Sequence, residues 1–280
     1  MHFQLDDLAV NYEVHGEGRP IVLLHGWGMD HGYEATDYEP VFAGRPGWRR
    51  IYPDLPGMGA TPARDWIKSQ DDFLEVVLRF IEHVSPDGPV TLAGTSAGGY
   101  LAMGVVHRRP ELVEGLLLRV PVVEMDRSAR DLPAQRTLLA DPGFVATLGP
   151  DEAEVAAGAL VQTPRYVEAA GAALRDKILP ALARADEPFL DAIGGDPSRY
   201  GFTFDVTEMP VPFDRPALVL AGRQDTIAGY RDAWRVLENF PRATMAVIDR
   251  ADHALPVDNE PLFHALVTDW LDRVEEMEGR

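Results

Sequence analysis

Short apolar runs rich in branched residues alternate along this chain with longer stretches whose apolar residues recur every three or four positions. The first pattern fits strands buried on both faces, and the second fits helices that cover them. Residues 3–5 and 9–14 read as a leading antiparallel hairpin around Asp6-Asp7. Sheet strands are predicted at 21–24, 50–52, 90–94, 115–123 and 216–222, with a last one from Ala243. A helix is predicted over 71–84, with Phe73, Val76, Val77, Phe80 and Val84 along one stripe. Others are predicted over 100–109 and over 230–240, the latter through Ala233, Trp234 and Leu237. A last helix opens near Asn259-Glu-Pro261 and would bury Phe263, Leu266, Val267, Trp270 and Val274. This alternation predicts an α/β fold with a mainly parallel sheet flanked by helices.

Between Glu124 and about Pro212 the rhythm changes. Strand-like runs vanish, alanines and charges increase, and prolines punctuate the segment from Pro133 to Pro197. Short helices fit best, for example over 165–178 and 187–193. Residues 1–123 and 213–280 are therefore expected to form one core domain, interrupted by a helical insertion over 124–212. Such an insertion would exclude water from a site beneath it and shape an apolar pocket.

Chemistry gathers where the predicted strands end. The run from Val90 breaks at Gly94-Thr-Ser96-Ala-Gly98, and a helix follows at once. Strand, sharp turn bearing serine, then helix is the context of a nucleophile elbow. Glycines two positions either side of Ser96 would keep the turn free of side-chain collision. The amide of Ala97, at a helix N-terminus, could hold an oxyanion. The strand at 21–24 stops at His25-Gly26-Trp27-Gly28, where the Trp27 amide is placed to be a second donor. Asp225 follows the strand that ends in Gly222, and His253 follows the strand from Ala243. Serine, aspartate and histidine in that chain order suit a triad carried on a parallel sheet.

With these residues the chain resembles the α/β-hydrolase family over nearly its whole length. His25-Gly26-Trp27-Gly28 matches the oxyanion loop, and Asp54-Leu-Pro-Gly57-Met-Gly59 the turn after the next strand. Ser96, Asp225 and His253 fall on the nucleophile, acid and base motifs. The resemblance implies the α/β-hydrolase fold with a helical cap. It also makes Glu124 a rival acid, though Gly222-Arg-Gln-Asp225 matches the commoner location. Asp252 departs from the pattern, standing where a glycine often precedes the histidine. Neighbouring side chains in an extended segment diverge, so Asp252 is expected to face water.

A serine hydroxyl needs a base to take its proton. Imidazole titrates near neutrality, so His253 suits that task, with Asp225 fixing its tautomer. His25, Gly26, Met29, Asp30, His31 and Tyr100 are expected to face a substrate pocket, and Arg165, Tyr166 and Arg175 in the cap are further candidates. The spacing of His15, His25 and His31 fits no helical ligand pair, so no metal is expected. The glycine-rich turn lacks the Lys-Ser/Thr ending of a phosphate loop, and no cofactor is expected.

Composition narrows the partners. The net charge of −19 argues against nucleic acid and anionic membranes. With no cysteine, disulfides, zinc–thiolate sites and a cysteine nucleophile are excluded. No basic leader precedes an apolar stretch, so a cytoplasmic protein is expected, acting on a small molecule alone or as a homodimer. Three activities fit: hydrolysis of a carboxylic ester through an acyl-enzyme, carbon–carbon cleavage of a vinylogous diketo acid of the meta-cleavage type, and ligand binding without turnover. Ser96 occupies the nucleophile position, which excludes the branches that attack with an aspartate.

Overall fold

The computed structural model describes residues 1–279. Its strands are β1 (His2–Leu5), β2 (Leu8–His15), β3 (Arg19–Leu24), β4 (Trp48–Pro53), β5 (Val90–Thr95), β6 (Val113–Arg119), β7 (Ala217–Gly222) and β8 (Ala243–Ile248). They form one 8-stranded sheet in the order β1-β2-β4-β3-β5-β6-β7-β8. β1 pairs with β2, and β2 with β4, in antiparallel fashion; from β4 to β8 all pairing is parallel. The hairpin turns at Asp6, whose φ of 51° is a left-handed conformation that aspartate tolerates.

The helices used below are α1 (His31–Phe42), α2 (Gln70–Val84), α3 (Ala97–Arg108), α4 (Pro150–Gly158), α5 (Pro164–Ala173), α6 (Glu187–Gly194), α7 (Tyr230–Arg235) and α8 (Glu260–Glu275). They cover both sheet faces, and the strand residues divide accordingly. Val22, Leu24, Leu92, Leu116 and Val219 pack with Phe73, Phe80 and Leu101 on one face. Ile21, Leu23, Leu117, Leu218 and Leu220 pack with Tyr38, Phe263 and Trp270 on the other. Strict alternation of this kind explains why the strands read as continuous apolar runs. Each such Leu or Phe contributes about 1.5–3 kcal/mol by leaving water. The predicted stripe of α2 is buried in full.

Four expectations are corrected. β6 ends at Arg119, because Val120 takes a φ of 40° that no strand can accommodate. The apolar residues after it remain buried, as the floor of a loop. α3 starts at Ala97, directly after Ser96, rather than at Tyr100. The helix expected over 230–240 stops at Arg235 and tightens into a 3₁₀ turn at Leu237–Asn239. Trp234, inside the helix, is 60% exposed, because the buried face runs through Asp232, Ala233 and Val236 instead. In α8, Leu266 is half-buried and Leu271 is fully buried. Between β6 and β7 the chain is helical, with α4, α5 and α6 among shorter turns.

Candidate active site

Five strand ends meet at the carboxyl edge of the parallel sheet, where ligands bind in open α/β folds. β5 delivers Ser96, whose φ of 55° and ψ of −117° lie outside the ordinary regions. The turn is held from three sides. The Ser96 amide donates to Arg119 O (2.9 Å), and the Ser96 carbonyl accepts from Gly99 N (3.0 Å) and Val122 N (3.2 Å). The flanking glycines are needed, for a reason different in detail from the one expected. A Cβ on Gly94 would run into the Gly98 carbonyl, and one on Gly98 into the Leu24 and His25 carbonyls. These glycines let β5, the turn and the end of β3 close on each other.

β3 delivers the loop Gly26-Trp27-Gly28. A Cβ on Gly26 would stand 3.3 Å from Ser96 Cβ, so only glycine lets this loop come so near the serine without displacing it. Among the described residues, the amides of Trp27 and Ala97 donate to no backbone carbonyl. His25 does not reach the cavity. It is fully buried, with Nδ1–H donating to Gly26 O (2.8 Å) and Nε2 accepting from Leu55 N (2.9 Å). Burial pushes its pKa down, which favours the neutral ring that both bonds require. His25 holds the loop instead of lining a pocket.

β7 and β8 deliver Asp225 and His253. His253 Nδ1 and Asp225 Oδ2 are 2.8 Å apart, and Asp225 is 0% exposed. Asp225 Oδ1 accepts from the amides of Ile227 (2.8 Å) and Ala228 (2.9 Å). The two loops are tied together, since Gln224 N donates to Ala251 O (3.0 Å) and Gln224 Nε2 to Asp249 O (3.0 Å). Any Cβ on Gly222 would strike the Ala251 and Asp252 carbonyls. Glu124, the rival acid, accepts from Asp126 N (3.2 Å) and stands 3.9 Å from Arg235. It has no bond to His253.

Ser96, His253, Gly26, Trp27 and Met29 line one cavity of about 920 Å³. Asp30, His31 and Tyr100 do not. Asp30 caps α1 by accepting from Tyr33 N (3.0 Å) and pairs with Arg184. His31 binds Asp54 (2.8 Å), which raises its pKa, and Tyr100 stacks on Phe202 while its hydroxyl accepts from Phe202 N (2.8 Å). Proximity in sequence to the loop or the elbow did not carry these side chains into the cavity. Tyr166 and Arg175 line a second cavity, and Arg165 is exposed.

Asp252 also departs from expectation. It lines both cavities, because the loop turns there instead of extending: Asp252 Oδ1 accepts from Ala254 N (2.7 Å). The expectations missed Arg127 and Arg130, which line the first cavity just after β6. Arg130 donates to the carbonyls of Glu124 (2.7 Å) and Ile227 (2.9 Å). Burial lowers its pKa, yet no carboxylate pairs with it among the described residues. The signal was available: two arginines close behind the sixth strand end. Among the described residues no group of His, Cys, Asp and Glu is placed to hold a metal.

A family model described as alpha/beta hydrolase fold matches residues 19–260. A pimeloyl-[acyl-carrier protein] methyl ester esterase of Legionella pneumophila (strain Paris) is 25% identical over 274 residues, covering 94% of this chain and 100% of that protein. A 2-hydroxy-6-oxo-6-(2'-aminophenyl)hexa-2,4-dienoic acid hydrolase of Metapseudomonas resinovorans is 23% identical over 276 residues, covering 92% and 86%. An alpha/beta superfamily hydrolase structure from Oenococcus oeni PSU-1 superposes with a TM-score of 0.83 at 23% identity, covering 98% of this chain and 99% of that one. At that identity the likeness speaks for the fold alone.

Proposed function

Because this chain belongs to the α/β-hydrolase fold family, we propose that it is a serine hydrolase cleaving a small-molecule carboxylic ester through an acyl-enzyme. One observation carries the reading: a strained serine and an aspartate-paired histidine face the same cavity. In this mechanism His253 Nε2 takes the Ser96 proton as Oγ attacks the ester carbonyl. The amides of Trp27 and Ala97 hold the oxyanion, each worth on the order of 3 kcal/mol. His253 then hands its proton to the departing alkoxide, and water repeats the sequence on the acyl-enzyme. Asp225 keeps Nδ1 protonated and stabilises the imidazolium. Residues 124–212 act as the cap, contributing Ile178, Asp191 and Tyr200 to the cavity wall. No metal or organic cofactor takes part in these steps. No helix among the described residues is long and apolar enough to cross a membrane, and we place the activity in the cytoplasm.

A second reading keeps the same residues but cleaves a carbon–carbon bond of a dienol keto acid. Arg127 and Arg130 favour it, because a guanidinium in the cavity wall suits a substrate carboxylate. The dienoic acid hydrolase relative points the same way. Steady-state kinetics on short and medium p-nitrophenyl esters beside a dienol keto acid separates the two. We expect ester turnover that Ser96→Ala lowers by at least about 10⁴-fold. Turnover of the keto acid with the esters untouched would transfer the assignment to the second reading.

A further inference from the structure

A second cavity of about 920 Å³ lies between α4, α5 and the histidine loop. It shares Ile178, Asp252 and Ala254 with the cavity that holds Ser96. Two of those three residues flank His253 in sequence, so the second cavity adjoins the site on the histidine's side. In ester cleavage by serine, the histidine that takes the hydroxyl proton returns it to the leaving oxygen. The alcohol therefore departs toward the histidine, where Asp252 and Ala254 form the boundary, or neck, between the two cavities.

The two cavities differ in charge. The first sets Arg127 and Arg130 against Asp126, Asp191 and Asp252, so its wall is close to balanced. The second is lined by Asp151, Glu152, Glu154 and Glu168, together with Asp252 and Asp258, against Arg175 as its basic residue. Val155, Val167 and Leu174 give it an apolar floor. At the neck Asp252 N donates to Asp258 Oδ2 (2.6 Å), and the Tyr166 hydroxyl donates to Asp258 Oδ1, joining α5 to the histidine loop. Burial, followed by the Asp252 carboxylate, pushes Asp258 up to about 8.

We propose that the second cavity is the leaving-group chamber of the ester site, fitted to a bulky cationic alcohol, with Asp252 at the neck selecting for the charge. The proposal rests on the ester-hydrolase reading. A cation with an apolar body gains from the carboxylate wall and from the aliphatic floor together, whereas an anionic alcohol is repelled. The step itself adds nothing to the chemistry: the acyl C–O bond breaks, and the alkoxide takes the proton held by His253.

The test uses three acetate esters of one acyl group: methyl, choline, and 3,3-dimethylbutyl, the uncharged isostere of choline. The native protein is expected to prefer choline over dimethylbutyl in kcat/KM, and Asp252→Asn to shrink that preference about tenfold. Ala170→Trp fills the second cavity from a residue that lines only that cavity. It should lower kcat/KM for both bulky esters at least about tenfold more than for the methyl ester. Methyl ester turnover reports that the Ala170→Trp chain is folded, and for Asp252→Asn the readout is the ratio of choline to dimethylbutyl ester turnover within that variant. Equal effects on all three esters, or a native preference for dimethylbutyl, would overturn the chamber. Failure of the native protein on every ester, methyl included, would instead remove the ester reading and this inference with it.

Discussion

Asp225 spends both carboxylate oxygens, Oδ2 on His253 and Oδ1 on the amides of Ile227 and Ala228. The two amides fix the carboxylate plane, so the imidazole can satisfy it from one direction only. Replacing Asp225 with Asn preserves the shape but offers an N–H where an acceptor is needed, favouring the wrong tautomer. We predict that Asp225→Asn lowers kcat for esters by about 10⁴ and that Glu124→Gln changes it by less than about threefold. Reversed results in the same assay would move the acid to the end of β6. At this scale the sequence was most legible where a residue's role depends on a turn. Gly-x-Ser-x-Gly, His-Gly and Gly-x-x-Asp each mark a strand end whose geometry admits few residue types. Facing direction was not legible. His25, Asp30 and His31 sit beside the loop in sequence but are taken up by Gly26, Arg184 and Asp54. Asp252 turned inward because its own carboxylate bonded the Ala254 amide, a local choice that an extended-segment argument cannot anticipate.

Among the elements, the turn after β4 shows how a motif becomes a brace. Asp54 accepts from His31 N and His31 Nδ1 through Oδ1, and from Asn11 Nδ2 and Ala60 N through Oδ2, each between 2.8 and 2.9 Å. It thereby joins β2, the start of α1 and the turn itself. Gly59 has no side chain because Asp54 occupies that space, and Gly57 because Phe189 of α6 does. Burial works against the Asp54 carboxylate, but the hydrogen bonds from His31 and Ala60 outweigh it and hold the group at about 2. A depressed carboxylate stabilises the fold above its unfolded value and loses that effect as the pH falls through its folded value. We predict that Asp54 contributes about 2 kcal/mol at neutral pH, lost between about pH 4 and pH 2. Urea unfolding of the native chain and Asp54→Ala across that range measures it. A gap between the two proteins that stays constant with pH would contradict the brace. Element boundaries were less legible than element types. Periodicity cannot distinguish a strand from a buried loop, which is why β6 was expected to run past Val120, and it cannot tell which of the adjacent Ala233 and Trp234 faces the core.

In the whole molecule, a buried cluster ties the inserted segment to the sheet. Arg119 of β6 pairs with Glu34 (3.0 Å) and Asp37 (2.7 Å) of α1, and Lys177, which follows α5, pairs with Asp37. Burial pushes Glu34 up to about 7 and Lys177 down, and the attraction of Arg119 for Glu34 and of Asp37 for Lys177 works against it. Removing one member would leave another buried and unpaired, at about 3–5 kcal/mol. No sequence pattern announces such a cluster, since its members come from three separate regions. That the central strands run parallel was legible, though their order β4-β3-β5-β6-β7-β8 was not, and the parallel arrangement is what lays Ser96, Asp225 and His253 along one edge. The central claim is that Ser96, activated there, forms a covalent intermediate. Incubation of the folded protein with a fluorophosphonate, followed by peptide mass spectrometry, tests it most directly. The account predicts a single adduct on Ser96 and none on a folded Ser96→Ala chain. Labelling at another residue, or a folded native protein that stays unlabelled, would contradict it.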